Sequence, residues 1–203
     1  MIAPELVFHG LRRGFGGLRV LAGVGARVAA GQTLLVTGAN GTGKSTLLRC
    51  LAGLLNPEAG AIELRLAGRA LSVEERRLAV GYVAPDLSLY DDLTARENLA
   101  FFCRLRRRPE SAADELLARV GLPPERPWRA LSSGMRQRLR WAWALLHQPP
   151  VLLLDEPFQN LDGDGERLGR ELLAEHLLSG LAVVASPSSI SLPTVDVRLE
   201  LAR

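Results

Sequence analysis

Residues 33–46 read Thr-Leu-Leu-Val-Thr-Gly-Ala-Asn-Gly-Thr-Gly-Lys-Ser-Thr, a short β-rich run that enters a glycine loop and leaves it through helix-forming residues. Gly38 to Ser45 satisfies G-x-x-x-x-G-K-[ST] in the strand–loop–helix context that this motif requires. Glycines let successive backbone N–H groups turn inward around phosphates. The start of the following helix adds a partial positive charge. The loop Gly38, Ala39, Asn40, Gly41, Thr42, Gly43, Lys44, Ser45 and Thr46 is therefore expected to hold the triphosphate of ATP. Lys44 should reach the β- and γ-phosphates, and Ser45 should ligate Mg2+. The chain has 25 lysines and arginines, of which Lys44 is the only lysine, leaving 24 arginines. Lysine is a compact charge on a flexible stem, whereas arginine is a planar fork. A composition that uses arginine almost everywhere yet keeps its one lysine inside this loop supports the motif independently.

At 203 residues the chain is long enough for one substantial domain with a real core. Its 47% apolar and 23% charged content is that of a soluble protein. No apolar stretch approaches the roughly 18 to 20 residues of a membrane span. Met1-Ile2-Ala3-Pro4-Glu5 lacks the basic start and apolar core of a secretory signal, so a cytoplasmic location is expected, with any membrane association made through a partner. Cys50 and Cys103 have no metal-ligand spacing and are expected to be buried and reduced. The cluster Arg104, Arg106, Arg107, Arg108 reads as a solvated helix end, because no aromatic residues interleave it; nucleic acid is not expected as a partner.

Leu6-Val7-Phe8 and Arg19-Val20-Leu21 alternate like early strands, with Gly14, Gly16 and Gly17 as turn residues. Lys44 to Leu55 is expected to be a helix, Ala61 to Leu66 a strand and Leu78 to Val83 a buried strand. From Thr94 to Leu145 the pattern is helical, opened by a Thr94–Glu97 capping box and divided at Pro109, Pro123-Pro124 and Pro127. Val151 to Leu154 is a buried strand, Leu168 to Leu178 a helix, Leu181 to Ala185 a strand and Val195 to Leu201 an edge strand. Strands alternating with helices imply an α/β domain with a mainly parallel sheet, N-terminal antiparallel β strands and an inserted helical subdomain at about 85–145 of a single domain 1–203.

The strand Val151 to Leu154 ends in Asp155-Glu156. A carboxylate at the carboxyl end of a parallel strand lies beside the phosphate loop. Asp155 is expected to hold Mg2+ through water, and Glu156 to orient or deprotonate the attacking water. Between loop and acids lies Leu131-Ser132-Ser133-Gly134-Met135-Arg136-Gln137-Arg138. The ordered set resembles the ATP-binding cassette (ABC) ATPases, a branch of the P-loop NTPases, whose signature has the form L-S-G-G-Q. Ser133 and Met135 depart from that form, while Ser132 and Gly134 match positions that donate to a γ-phosphate. Phe15 sits where the family places an aromatic that stacks on adenine. Asn160-Leu161-Asp162 resembles the family's D-loop, and Leu89 to Thr94 with Glu97-Asn98-Leu99 resembles the start of its helical subdomain.

The resemblance covers essentially the whole chain and implies a head-to-tail homodimer. Each ATP would lie between the phosphate loop of one copy and the signature of the other, with a membrane-spanning transporter subunit docked near the junction of the two lobes. The short length and minimal C-terminus are similar to the ATP-binding subunit of the cytochrome c maturation haem exporter. Two departures bear on turnover. The glutamine expected after Tyr82-Val83-Ala84 is replaced by Pro85-Asp86, and no glutamine lies between Gln32 and Gln137. Proline offers neither a side-chain ligand nor an N–H; Asp86 is a candidate to approach Mg2+ or water in its stead. The histidine expected after the strand Leu181 to Ala185 is replaced by Ser186-Pro187; the three histidines are His9, His147 and His176, and His176 is expected at the surface. Slow ATP hydrolysis stimulated by dimerisation or a partner is the expectation. The competing readings are an ATP-dependent dimerisation switch with little hydrolysis, and a soluble ABC protein of DNA repair or translation, which lacks support because neither tandem cassettes nor a long coiled insertion is present.

Overall fold

The computed structural model describes residues 3–187 and 190–202. In chain order it runs β1 (Pro4–Phe15), β2 (Leu18–Ala29), β3 (Thr33–Thr37), α1 (Lys44–Leu51), β4 (Ala59–Leu66), β5 (Arg69–Ala70), α2 (Val73–Ala79) and β6 (Val80–Val83). It continues with α3 (Ala95–Leu105), α4 (Ser111–Arg119), a single 3-10 turn at Trp128–Ala130, α5 (Ser133–Leu145), β7 (Val151–Asp155), α6 (Gly163–His176), β8 (Leu181–Ser186) and β9 (Val197–Glu200). Two sheets form: an antiparallel one ordered β2-β1-β4-β5 and a parallel one ordered β6-β7-β8-β3-β9. The expected α/β class, with an antiparallel N-terminal sheet and helices α3 to α5 inserted between two strands of the parallel sheet, is the observed architecture.

Both faces of the parallel sheet are covered, which is why its strands read as continuous apolar runs. Alternate residues enter different cores. Leu35, Leu152, Leu154, Ala182 and Val184 face the core shared with α3 to α6. Leu34, Val36, Val151, Leu153, Leu181 and Val183 face the core shared with α1 and the antiparallel sheet. The register aligns Asp155 with Ala185 and Thr37 with Ser186, so the ends of β7, β8 and β3 are level on one edge.

Several boundaries differ from the sequence expectation. Leu78 belongs to α2, not to a strand, and is 61% exposed. The reason is a complete capping box, in which Ser72 accepts from the Glu75 N–H and Glu75 from the Ser72 N–H; the strand begins only at Val80. Helix α1 ends at Leu51 instead of Leu55. Gly53 adopts φ 74°, the Leu54 and Leu55 N–H groups both return to the Arg49 carbonyl at 2.9 and 3.2 Å, and Arg77 Nε donates to the Gly53 carbonyl at 2.7 Å. Helix α6 begins at Gly163, ahead of the expected Leu168, because Asp162 accepts from the Gly165 N–H at 2.8 Å. Gly14 lies within β1; the hairpin turn is Gly16-Gly17, both with positive φ. Cys50 and Cys103 are free and buried.

The Thr94–Glu97 capping box forms as expected. The entry to α3 is held by Asn98, fully buried, whose amide donates to the carbonyls of Tyr90, Leu93 and Thr94, each at 3.1 Å, and whose oxygen accepts from the Tyr90 N–H at 2.9 Å. Replacing Asn98 by Leu strands these buried groups and should cost about 3 kcal/mol, read as a lower urea midpoint with an unchanged m-value.

Candidate functional site

Strand β3 delivers the chain to the level edge of the sheet, where Gly38, Gly41 and Gly43 adopt φ 145°, 82° and 101°. A Cβ on Gly43 would lie 2.6 Å from Val20 Cγ1, so only glycine lets β2 close against the loop. Thr42 Oγ1 donates to the Ala39 carbonyl at 2.9 Å and stiffens the bend. Lys44, the first residue of α1, is only 5% exposed, and its Nζ donates to the carbonyls of Gly38 at 2.6 Å and Ala39 at 3.0 Å. A buried ammonium curled beneath the helix N-terminus, surrounded by glycine backbone, is a cradle whose charge and shape fit a polyphosphate.

The cleft above the loop has a volume of about 320 Å3 and is lined by Val20, Asn40, Gly41, Gly43, Lys44, Ser45, Thr46 and Glu156. Thus Glu156 and the loop, more than a hundred residues apart in sequence, share one hollow. Glu156 stands in the left-handed region, φ 46°, with its N–H donating to the Ala185 carbonyl at 3.0 Å. Asp155, 3% exposed, lies at the end of β7 with Ser45 beside its carboxylate. Burial pushes its carboxyl above the usual range, the Ser45 hydroxyl opposes this, the charges of Glu156 and Asp86 add to it, and Lys44 opposes it. A hydroxyl and a carboxylate oxygen are the hard donors that suit Mg2+, which keeps most of its remaining positions for water and phosphate. Among the described residues no cluster of three or more acidic, histidine or cysteine side chains could hold a metal by itself.

Asp155, Gly38, Ala39 and Thr42 adjoin this cleft without lining it, whereas Phe15, Ser132 and Gly134 are set apart from the loop. Phe15, 49% exposed beside the Gly16-Gly17 turn, lines a separate hollow with Leu18, Arg19 and Glu58, and the Arg13 guanidinium covers its ring at 4.8 Å. Ser132 caps α5, its hydroxyl accepting from the Met135 N–H at 3.2 Å. Gly134 packs against the Asn160 carbonyl, where a Cβ would approach to 2.9 Å. Neither Ser132 nor Gly134 lines the loop cleft of its own chain.

Asp86 does not line the loop cleft, although its charge is felt at Asp155. It pairs with Arg49 of α1 at 2.5 Å, because a guanidinium is the nearest strong partner for an exposed carboxylate in that turn. His176, at the end of α6, is half-buried instead of freely exposed: its Nε2 is 2.9 Å from the Leu181 carbonyl and burial lowers its pKa. His147 is pushed down to about 4 by burial and by the nearby charges of Arg106 and Arg108. Tyr82 is pushed up to about 12 by burial and by the charge of Asp155. The cluster Arg104 to Arg108 is only partly a solvated end, since Arg104 pairs with Glu110 at 2.8 Å while half-buried Arg106 donates to the Leu78 carbonyl at 3.0 Å.

Two contacts that sequence reasoning missed tie α5 to the acidic pair. Gln137 Nε2 and Trp141 Nε1 both donate to the Pro157 carbonyl, at 2.8 and 3.0 Å. Their spacing of four positions puts both on one face of a helix, a signal present in the sequence, but nothing in it names the acceptor.

A family profile described as ABC transporter matches residues 21–159. The chain is 38% identical over 200 residues to the cytochrome c biogenesis ATP-binding export protein CcmA of Xanthomonas oryzae pv. oryzae, covering 97% of this chain and 92% of that protein. It is 39% identical over 179 residues to the Fe(3+) ions import ATP-binding protein FbpC 1 of Rhodococcus jostii, covering 85% of this chain but only 51% of that protein, so it spans about half the length of such iron-import relatives. Among solved structures it resembles cbiO1 of Clostridium perfringens, part of the ABC transporter complex cbiONQ, with a TM-score of 0.71 and 27% identity over 90% of this chain and 78% of that one. With the fold, the ordered motifs and these relatives in agreement, the chain belongs to the ABC transporter family.

Proposed function

We propose that this chain hydrolyses ATP in order to drive a separate membrane-spanning partner. The observation that carries this reading is the single cleft in which buried Lys44, Ser45 and Glu156 meet. Lys44 and the loop amides would take the β- and γ-phosphates, and Ser45 with Asp155 would hold Mg2+, which when bound supplies charge neutralisation for the departing phosphate. Glu156 would orient the attacking water and accept its proton. Phe15 would present its uncovered side to adenine. Ser132 and Gly134, absent from their own chain's cleft, would complete the site of a second copy in a head-to-tail homodimer.

The partner would dock at the lobe junction. There a groove of about 400 Å3 is lined by Leu54, Tyr82, Leu87, Arg106 and Trp143, among others, and Leu54 is largely exposed. No helix among the described residues is long and apolar enough to cross a membrane. The working location would be the cytoplasmic face of the membrane, held through that partner. Near full-length similarity to CcmA supports haem export for cytochrome c maturation as the transport role. A second reading, an ATP-dependent dimerisation switch with little hydrolysis, is favoured by Pro85 and by Ser186-Pro187 at the places of the family's glutamine and histidine.

Glu156→Gln separates the two readings. On the enzymatic reading it lowers kcat about 100-fold or more while ATP affinity stays within about threefold, and Lys44→Ala abolishes nucleotide binding measured by calorimetry; unchanged hydrolysis in Glu156→Gln selects the switch. The native chain alone should turn over well below about ten ATP per second, checked by a steady-state phosphate assay.

Asp155 gives an independent test of the metal role. Its folded pKa is raised, so the unfolded state ionises first and the folded state bears the burial penalty at neutral pH. Asp155→Asn should therefore raise the nucleotide-free thermal midpoint at pH 7, with the gain shrinking as pH falls through the folded pKa toward the unfolded value near ~3.9. The same substitution should weaken the Mg2+-dependent part of ATP binding.

A further inference from the structure

Arg140, on α5, reaches three acceptors with one guanidinium. Its Nε donates to the Leu87 carbonyl at 2.7 Å, one Nη to the Pro85 carbonyl at 2.8 Å and the other to Gln137 Oε1 at 3.0 Å. The group lies over the Trp128 ring, 5.4 Å from its centroid. Pro85 and Leu87 flank Asp86, which is paired with Arg49 of α1, the helix that begins at Lys44. On the other side Gln137, held by Arg140, donates to the Pro157 carbonyl, the group next to Glu156. A continuous line of polar contacts thus runs from α1 through the turn at residues 85–87 and α5 to the residue that follows Glu156. Arg140 is its middle member, between the Asp86–Arg49 pair and the Gln137–Pro157 contact.

A planar fork with donors at fixed angles can serve two carbonyls and an amide oxygen together; a single ammonium cannot match all three directions. Besides the Asp86–Arg49 pair, the turn it grips is held sparsely: Pro85 lacks an N–H and a polar side chain, and among the described residues the Leu87 N–H to Ala84 carbonyl bond, 3.1 Å, closes the bend. Glu156 sits in left-handed backbone, a strained conformation for a residue with a side chain, which needs support from its surroundings. The paired bonds from Gln137 and Trp141 to Pro157 provide that support, and Arg140 orients Gln137 to make one of them.

We propose that Arg140 is a positioning residue that fastens the 85–87 turn to Pro157 and thereby sets Glu156 over the phosphate loop. This rests on the enzymatic reading for its effect on turnover, while its effect on structure does not.

The test compares native chain, Arg140→Ala and Arg140→Lys by hydrogen exchange, by ADP binding and by ATP hydrolysis at saturating Mg2+ and ATP. Arg140→Ala should speed exchange of the Leu87 and Gln159 amides about tenfold or more, leave the amides of β8 unchanged, and lower kcat about tenfold to 100-fold with KM and ADP affinity within about twofold. Arg140→Lys, keeping the charge without the fork, should recover less than half of the lost rate, and millimolar guanidinium chloride should raise the rate of Arg140→Ala where sodium chloride does not. The proposal is overturned if Leu87 and Gln159 exchange as in the native chain, if β8 exchange rises equally, or if KM rises in step with the fall in kcat. A native chain that hydrolyses no ATP would remove the enzymatic reading, and the exchange of Leu87 and Gln159 would still decide whether Arg140 is the tether.

Discussion

Gly43 cannot carry a side chain, and most of the site's geometry depends on that. Its left-handed backbone turns the chain from β3 into α1 while Val20 presses on the space a Cβ would fill. The turn directs the helix N-terminus over the loop and draws Lys44 inward, where its ammonium meets the loop's own carbonyls. The loop opens beside β7 because β3 and β7 flank β8 in register, with Thr37 opposite Ser186 and Asp155 opposite Ala185. A one-residue slip in either pairing would move Asp155 to the other face of its strand. Local steric freedom at one glycine and long-range register at two strand pairs together bring Lys44 and Glu156 into one hollow, with Asp155 at the end of β7 beside Ser45.

The parallel sheet separates two apolar cores, and polar contacts do the joining at its edge. Apolar packing is insensitive to small displacements along a surface, whereas hydrogen bonds to a carbonyl fix direction and distance. The Pro157 carbonyl, reached by Gln137 and Trp141, is such a fixed point between α5 and the end of β7. Gly134, at the start of the same helix, touches the Asn160 carbonyl just beyond it. Helix α5 therefore meets the segment 157–160 at two places. A displacement of its Ser132 end is a displacement relative to the segment that follows Glu156.

What the sequence revealed was whatever is written in adjacent residues. The glycine loop, the capping box at Thr94 and the apolar runs of β7 and β8 are local chemistry, and each appears where its residues predict. Leu78 misled because Leu78-Ala79-Val80-Gly81-Tyr82-Val83 is one apolar run, and only the Ser72–Glu75 pair, six residues earlier, reveals that the helix extends into it. His176 is less exposed than its place on α6 suggests, because its acceptor, the Leu181 carbonyl, lies beyond the helix end. The partners of Asp86 and Arg140 were out of reach altogether. An arginine in a chain with two dozen of them gives no sign of which carbonyl it will find, since the answer depends on how α5 lies across the 85–87 turn.

On the proposed reading, nucleotide binding and turnover draw on different parts of the molecule. The triphosphate would be held within residues 38–46, by backbone and a single cation. Turnover would require Glu156 to be aimed, and its backbone is held by the Ala185 carbonyl on one side and, through Pro157, by Gln137 and Trp141 on the other. Pro85 lies in the turn that Arg140 grips, and Pro187 just past the end of β8. Both remove an N–H and stiffen the backbone without adding a polar side chain. On that reading, substitutions at these two places would act on hydrolysis, through the rigidity of its frame, while the hold on the phosphates would stay with a loop to which neither belongs.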